Sequence, residues 1–180
     1  MLPGISTEQL RSRLNRMVAD GLLTRQRYRE VPPRVDYELT ERSRELMPVL
    51  GALARWGYDW TWTGPRRGED VNVGAIFRLA PGMLTPPPDV AGSVDLVVAG
   101  DDDEDRVFRL SAADGRVAIS ERPEGPADAV VTGSEEAWIG ALGPDGAIAS
   151  LHVEGSRPLA EALLSGFTAA ATSRGAQRAA

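Results

Sequence analysis

Apolar residues recur at Leu10, Leu14, Met17 and Val18, the i, i+4, i+7, i+8 spacing of one helix face. Ser6 and Gln9, three apart, form a capping-box pattern ahead of that stripe, and Gly21 is a left-handed stop after it. The opposite face carries Glu8, Ser12, Asn15 and Arg16, with Gln9 and Arg13 on its flank. The run LLTRQRYREVPPRVDYEL reads as two strands joined around Glu30 to Arg34. Val35, Tyr37 and Leu39 alternate with Arg34, Asp36 and Glu38, the period of a half-buried strand, and Pro32-Pro33 marks the turn. Thr40 then caps a helix with Leu46, Leu50, Leu53 and Trp56 on one side, which Pro48 is expected to kink or to lengthen in its first turns.

The stretch from Trp56 to Asn72 has Gly, Pro and charges but neither period, and reads as a linker or crossover. Beyond it, Val73 to Leu84 is mostly apolar and helical until Pro81-Gly82. SVDLVVAG, RVFRLSAADG and RVAISERP read as strands, with Asp114-Gly115 as a hairpin turn. DAVVTG is a further strand, SEEAWIGALG a helix capped by Ser134, LHVEG a strand, and SRPLAEALLSGF a helix with Ser156 as N-cap. The expected fold class is α+β, an antiparallel sheet with helices at its end following a smaller helix-hairpin-helix module. The tail TAAATSRGAQRAA is small and polar and reads as frayed.

Composition narrows the chemistry. The chain of 180 residues has no cysteine, which excludes disulfides, thiolate metal sites and a cysteine nucleophile. Its one histidine, His152, provides no zinc cluster and sits in a strand without a nucleophile beside it, so it reads as structural or exposed. No catalytic residue, metal or cofactor is expected. Asp101-Asp102-Asp103-Glu104-Asp105 lacks the alternation of a calcium loop and reads as a solvated hairpin tip. No apolar run spans a membrane and no signal peptide opens the chain, so the expected setting is cytoplasmic. All 20 basic residues are Arg, and they are unevenly placed. Residues 1–67 hold 12 Arg against 8 acidic residues, whereas 68–180 hold 8 against 18. That asymmetry points to two modules, the first facing a polyanion.

A basic helix followed by an Arg-bearing hairpin is what a winged helix-turn-helix offers DNA. The residues Asp20-Gly21-Leu22, Tyr28, Val31-Pro32-Pro33-Arg34-Val35, Tyr37, Leu39-Thr40, Leu46, Pro48-Val49-Leu50 and Trp56-Gly57 resemble the HxlR-type winged-helix transcriptional regulators. The resemblance implies a homodimeric, non-enzymatic regulator of double-stranded DNA. Its recognition helix would turn Thr7, Gln9, Ser12 and Arg16 to the groove and Arg11 and Arg13 to phosphates, with Arg34 at the wing tip entering the minor groove or touching the backbone. Glu8 on that face would repel phosphate. Family members carry further helices upstream, whereas this chain opens at Met1-Leu2-Pro3-Gly4 on the recognition helix. The expectation is therefore a partial winged helix, either because the true start lies upstream or because the module is degenerate, and residues 1–180 by themselves are expected to bind DNA weakly.

The second module resembles the sterol-carrier-protein family in Ala129-Val130-Val131-Thr132-Gly133 leading to Glu136-Ala137-Trp138, and in Val153-Glu154-Gly155 leading to Leu159 and Leu163. This implies an apolar cavity for a lipid-like effector, for which Phe77, Trp138, Leu142, Leu163 and Phe167 are the candidate lining. Plain core packing is the competing reading of those five. The expected organisation is 1–60 partial winged helix, 61–71 linker, 72–168 carrier-like domain and 169–180 flexible tail. Trp56, Trp60 and Trp62 are expected at a domain interface. The alternative function is a lipid-carrier-like or dimerisation protein whose winged helix no longer binds DNA specifically.

Overall fold

The computed structural model describes residues 5–29, 32, 34–61, 65, 71–100, 105–121, 123–143, 146 and 148–178. Met1–Gly4, Val31 and Pro33 of the wing tip, Trp62 and the acidic residues 101–104 lie outside them. The chain divides into two compact units, Met1–Met47 and Pro48–Ala180, ahead of the expected 61–71 linker.

In the first unit, α1 spans Thr7–Ala19. The capping box is present: Gln9 N–H donates to Ser6 Oγ (3.2 Å) and Ser6 N–H to Gln9 Oε1 (3.4 Å). At the other end Gly21 has φ +70°, and the amides of Gly21 and Leu22 turn back to the carbonyls of Val18 and Met17. This doubly bonded stop needs a residue tolerant of the left-handed region. Strands β1 (Leu23–Tyr28) and β2 (Arg34–Leu39) pair antiparallel from Leu23↔Leu39 to Tyr28↔Arg34. The expected half-buried face is only partly covered: Tyr37 is half-buried, but Val35 and Leu39 are 40% and 45% exposed. A two-stranded ribbon supplies no second layer of its own; Leu23, at its base, is its buried residue.

Thr40 caps α2 (Glu41–Arg44), accepting from Ser43 N–H, and Ser43 Oγ donates to Leu22 O at 2.7 Å. The single long helix expected here is instead two, because α3 (Met47–Thr61) restarts with Pro48 in its first turn. Proline has no amide to donate and crowds the carbonyl four residues back, so it starts a helix far better than it continues one. The helix then runs on to Thr61, through the start of the stretch that reads as irregular.

In the second unit α3 packs by its small side. A Cβ on Gly51 would lie 2.0 Å from Gly82 O, and Arg55 donates to Met83 O. Then come α4 (Val73–Arg78), capped by Asn72, and α5 (Ala80–Met83). Strands β3 (Gly92–Ala99), β4 (Arg106–Ala113), β5 (Arg116–Glu121), β6 (Ala129–Ser134) and β7 (His152–Gly155) form one sheet in the order β5-β4-β3-β6-β7. Helix α6 (Glu135–Ala141) follows β6 with Ser134 as its cap, and α7 (Arg157–Arg178) ends the chain. This last helix covers residues that read as a frayed tail. Asp114 (φ +50°) and Gly115 (φ +71°) form the tight β4–β5 turn, as their sequence predicts.

The sheet departs from the antiparallel expectation at one place, where β3 and β6 run parallel from Val94↔Ala129. After β5 the chain must return past β4 and β3 to reach β6, and residues 123–128 lie along that crossing as a strap. Asp95 and Arg109 lie opposite each other on the sheet face away from the core, paired at 2.7 and 2.8 Å with both side chains 13% exposed. Arg109 also donates to Glu124 O and Gly125 O at 2.7 Å each. Its bond to Asp95, the largest influence, raises the Arg109 pKa. Asp128 closes the strap by accepting from Ser93 N–H at 2.8 Å.

The other sheet face is the core. Val94, Leu96, Val98, Phe108, Leu110 and Val131 are packed under α4, α6 and α7. Phe77 sits among three rings, with centroids 4.9 Å from Trp138, 5.5 Å from Phe108 and 6.5 Å from Phe167. Trp138 is fully buried, and its indole N–H donates to Val97 O at 2.8 Å. The ring thereby fills space without leaving a buried donor unpaired.

Candidate nucleic-acid face and ligand cavity

Every α1 residue singled out for DNA is exposed: Thr7, Gln9, Arg11, Ser12, Arg13 and Arg16. Helical spacing divides them. Ser12 and Arg16 share one ridge with Glu8, opposite the half-buried Leu14 and Val18, and Arg13 flanks it. Thr7 and Arg11 lie instead on the ridge that continues to Leu14 and Val18. Gln9 is committed locally, since its carbonyl oxygen closes the capping box. Arg16 approaches Asp20 at 3.8 Å, an exposed pair of little strength. Leu10 and Met17 are 38% and 37% exposed.

The wing has two chemically different faces. Arg34 shares one with Tyr28, Asp36 and Glu38. It binds Asp36 through two hydrogen bonds (2.9 and 2.5 Å), and its guanidinium lies 5.3 Å from the centre of the Tyr28 ring. The predicted DNA contact is therefore held within the protein by an anion and a ring. The other face carries Arg25 and Arg27, set across from Tyr37 and Val35, with no acidic residue opposite. Arg25 lies over Tyr37 at 5.9 Å, and Arg27 is exposed. Neither was singled out from the sequence, although alternation in Arg25-Gln26-Arg27-Tyr28 puts both on one side.

The five ligand candidates also separate. Phe77, Leu163 and Phe167 are packed in the core at 0–3% exposure. Leu142 stands at the wall of a cavity of about 290 Å³ that opens to solvent between α6, the turn at Ile148–Ser150 and α7; Trp138 borders the same cavity but, at 0% exposure, is packed as fully as Phe77. Ala141, Ile148, Leu151 and Leu164 complete its apolar lining, and Glu161 and Ser165 bring the polar side chains. Apolar spacing cannot tell a filled interior from a hollow one, because both need the same residues.

Elsewhere the candidates are bland. His152 is exposed on edge strand β7, 3.1 Å from Glu154. Among the described residues no three acidic, His or Cys side chains cluster as metal ligands, and no helix is long and apolar enough to cross a membrane. Trp56 and Trp60 are 56% and 61% exposed on α3, in line with Val49 and Leu53 at 62% and 61%. The four are spaced 4, 3, 4, the a/d rhythm of a helix that meets another helix.

Residues 1–64 match the family model described as HxlR-like helix-turn-helix. The chain therefore carries an HxlR-like helix-turn-helix domain at its N-terminus. The HxlR-like segment is 49% identical over 59 residues to the uncharacterized HTH-type transcriptional regulator sll1512 of Synechocystis, covering 33% of this chain and 44% of that one. It is 40% identical over 57 residues to the regulator YtcD of Bacillus subtilis, covering 32% and 45%. The chain thus spans about half the length of the curated relatives it matches. Among solved structures, the redox regulator HypR in its oxidized form matches at 38% identity over 32% of this chain and 59% of its own, with a TM-score of 0.30. Sterol carrier protein domain 2 of Helicoverpa armigera matches at 16% identity over 61% and 96%, with a TM-score of 0.43.

Proposed function

We propose that the chain is a DNA-binding transcriptional regulator of the HxlR type, working as a homodimer, with residues 72–168 as a carrier-like domain for an effector. The observation that carries this is the HxlR-like segment itself, which presents exposed Ser12, Arg13 and Arg16 on α1 and Arg27 on the wing. Arg11 supplies a further phosphate contact from the flank, and Thr7 and Gln9 reach the DNA from the N-terminal turn. The a/d-spaced side of α3 is the dimer face. The test is fluorescence anisotropy with duplexes from the protein's own upstream region against scrambled DNA, over a range of salt. Selective binding that weakens in Arg13→Ala and Arg16→Ala supports the reading; equal affinity for all duplexes refutes it.

Two observations favour a second reading, a carrier-like or dimerisation protein with only nonspecific DNA contact. Arg34 is bound to Asp36, and Glu8 lies on the ridge of Ser12 and Arg16. In that case the same assay gives a steep salt dependence without sequence preference.

A further inference from the structure

Helix α1 presents an acidic side chain where a recognition helix meets DNA. Glu8 is exposed in the first turn, on the ridge that continues through Ser12 to Arg16 and away from the half-buried Leu14 and Val18. The first turns of a recognition helix are the part that reaches base edges in the major groove. A carboxylate there carries an electrostatic cost, because the phosphates bordering the groove repel it. It is also an acceptor with nothing to donate. The base edges sort themselves against such a group. Guanine shows two acceptors, and thymine an acceptor beside a methyl, so neither can meet it. Adenine shows the N6 amino group but sets the N7 lone pair next to it. Cytosine shows the N4 amino group with no acceptor of its own beside it. Of the four bases, cytosine is the one that a carboxylate meets without repulsion.

We propose that Glu8 is a specificity-determining residue of α1, accepting a hydrogen bond from the N4 amino group of a cytosine at one position of the bound site; this rests on reading the chain as a DNA-binding regulator of the HxlR type. Glu8 lowers general affinity, since it repels the backbone, and adds selection, since any other base leaves its carboxylate desolvated against a poor partner. Ser12 follows one helical turn on, about 5.4 Å along the axis, which is one or two base pairs at about 3.4 Å each. Its hydroxyl both donates and accepts, so that position tolerates more than one base. Arg11 and Arg13 on the flanks hold phosphates and supply the affinity that Glu8 withholds. An amide in place of the carboxylate would offer a donor and an acceptor together, the match to adenine N7 and N6.

The experiment takes the full chain, Glu8→Gln and Glu8→Ala through selection from a random duplex pool, then measures anisotropy on the selected site with each base pair in turn at every position. The full chain should retain C·G at one position, with the other pairs there at least about tenfold weaker. Glu8→Gln should move the preference at that position to A·T, and Glu8→Ala should erase it, with the remaining positions unchanged. Both variants should bind scrambled DNA about twofold more tightly at low salt, a gain that fades as salt screens the charge. Glu8 also faces the positive end of the helix dipole. A role confined to the dipole would weaken binding to all duplexes alike and leave every base preference in place; that result overturns the inference while the regulator reading stands. Enrichment of no sequence by the full chain overturns the regulator reading together with the inference.

Discussion

Replacing Phe77 with alanine removes the ring at the centre of the second unit's aromatic cluster. The residue is fully buried, so its transfer from water contributes about 2–3 kcal/mol. The ring leaves a void of roughly 100 Å³, which at about 24 cal/mol per Å³ costs about 2 kcal/mol more if the walls do not relax. Edge-to-face packing on Trp138 (79° between planes) and Phe108 (68°) is lost as well, about 0.5–1.5 kcal/mol for each pair. These terms overlap, and partial collapse recovers some of the loss, so the expected cost is about 4 kcal/mol. A domain of ordinary stability would keep only a few kcal/mol after that loss. Urea unfolding followed by far-UV circular dichroism measures it. A loss below about 1.5 kcal/mol would show that Phe77 borders a hollow interior rather than filling a solid one, and would refute the division of the five ligand candidates.

Arg109→Met should lower the urea midpoint in the same unfolding assay, because it leaves the Asp95 carboxylate without its partner beneath the strap; the double change with Asp95→Leu should recover more than half of that loss. If α3 is the dimer face as proposed, Leu53→Glu should leave the chain monomeric in sedimentation velocity without lowering Tm by more than a few degrees, since Leu53 is 61% exposed. In DNA titrations Arg27→Ala should lower the salt slope by about 0.9, the loss of one phosphate contact. Arg34→Ala should lower it by less than half as much, since Asp36 already neutralises that guanidinium.

Features set by neighbours in the chain were legible. The Ser6–Gln9 capping box, the Gly21 stop, the Asp114-Gly115 turn and the Ser134 cap each depend on a few consecutive residues and their backbone angles. The strap and its parallel pair were not legible. Asp95 and Arg109 occupy alternating polar positions that read as solvent-facing, and among the described residues the return of 123–128 across the sheet shields them. The Arg34–Asp36 pair went unread for a nearer reason. Asp36 is two residues away on the same side of a strand, so the ion pair follows from alternation once the hairpin register is known. The cavity fell between these cases: of the five residues that the carrier-like resemblance suggested, Trp138 and Leu142 border it and three pack solidly. What distinguishes them is their place in the tertiary packing, which no local pattern encodes.

The strap also orders events in time. Strands β3, β4 and β5 join through short reversals, so a chain synthesised to Glu121 can form their meander alone. Pairing β3 with β6 brings Val94 beside Ala129, a far longer loop to close, and closure entropy rises with length. Until β6, α6 and α7 arrive, Leu96, Leu110 and Phe108 have only the short helix α4 beside them, and the emerging meander exposes much of its apolar face. Folding should then pass through a transition state polarised toward the meander, with φ-values near 0.7 for Leu110→Ala and below about 0.3 for Val131→Ala. The reverse ranking in stopped-flow kinetics would show that the parallel pair nucleates the fold. The segment that locks the sheet is, on this ordering, the last to be committed, and release from the ribosome before residue 129 would leave a sticky three-stranded fragment.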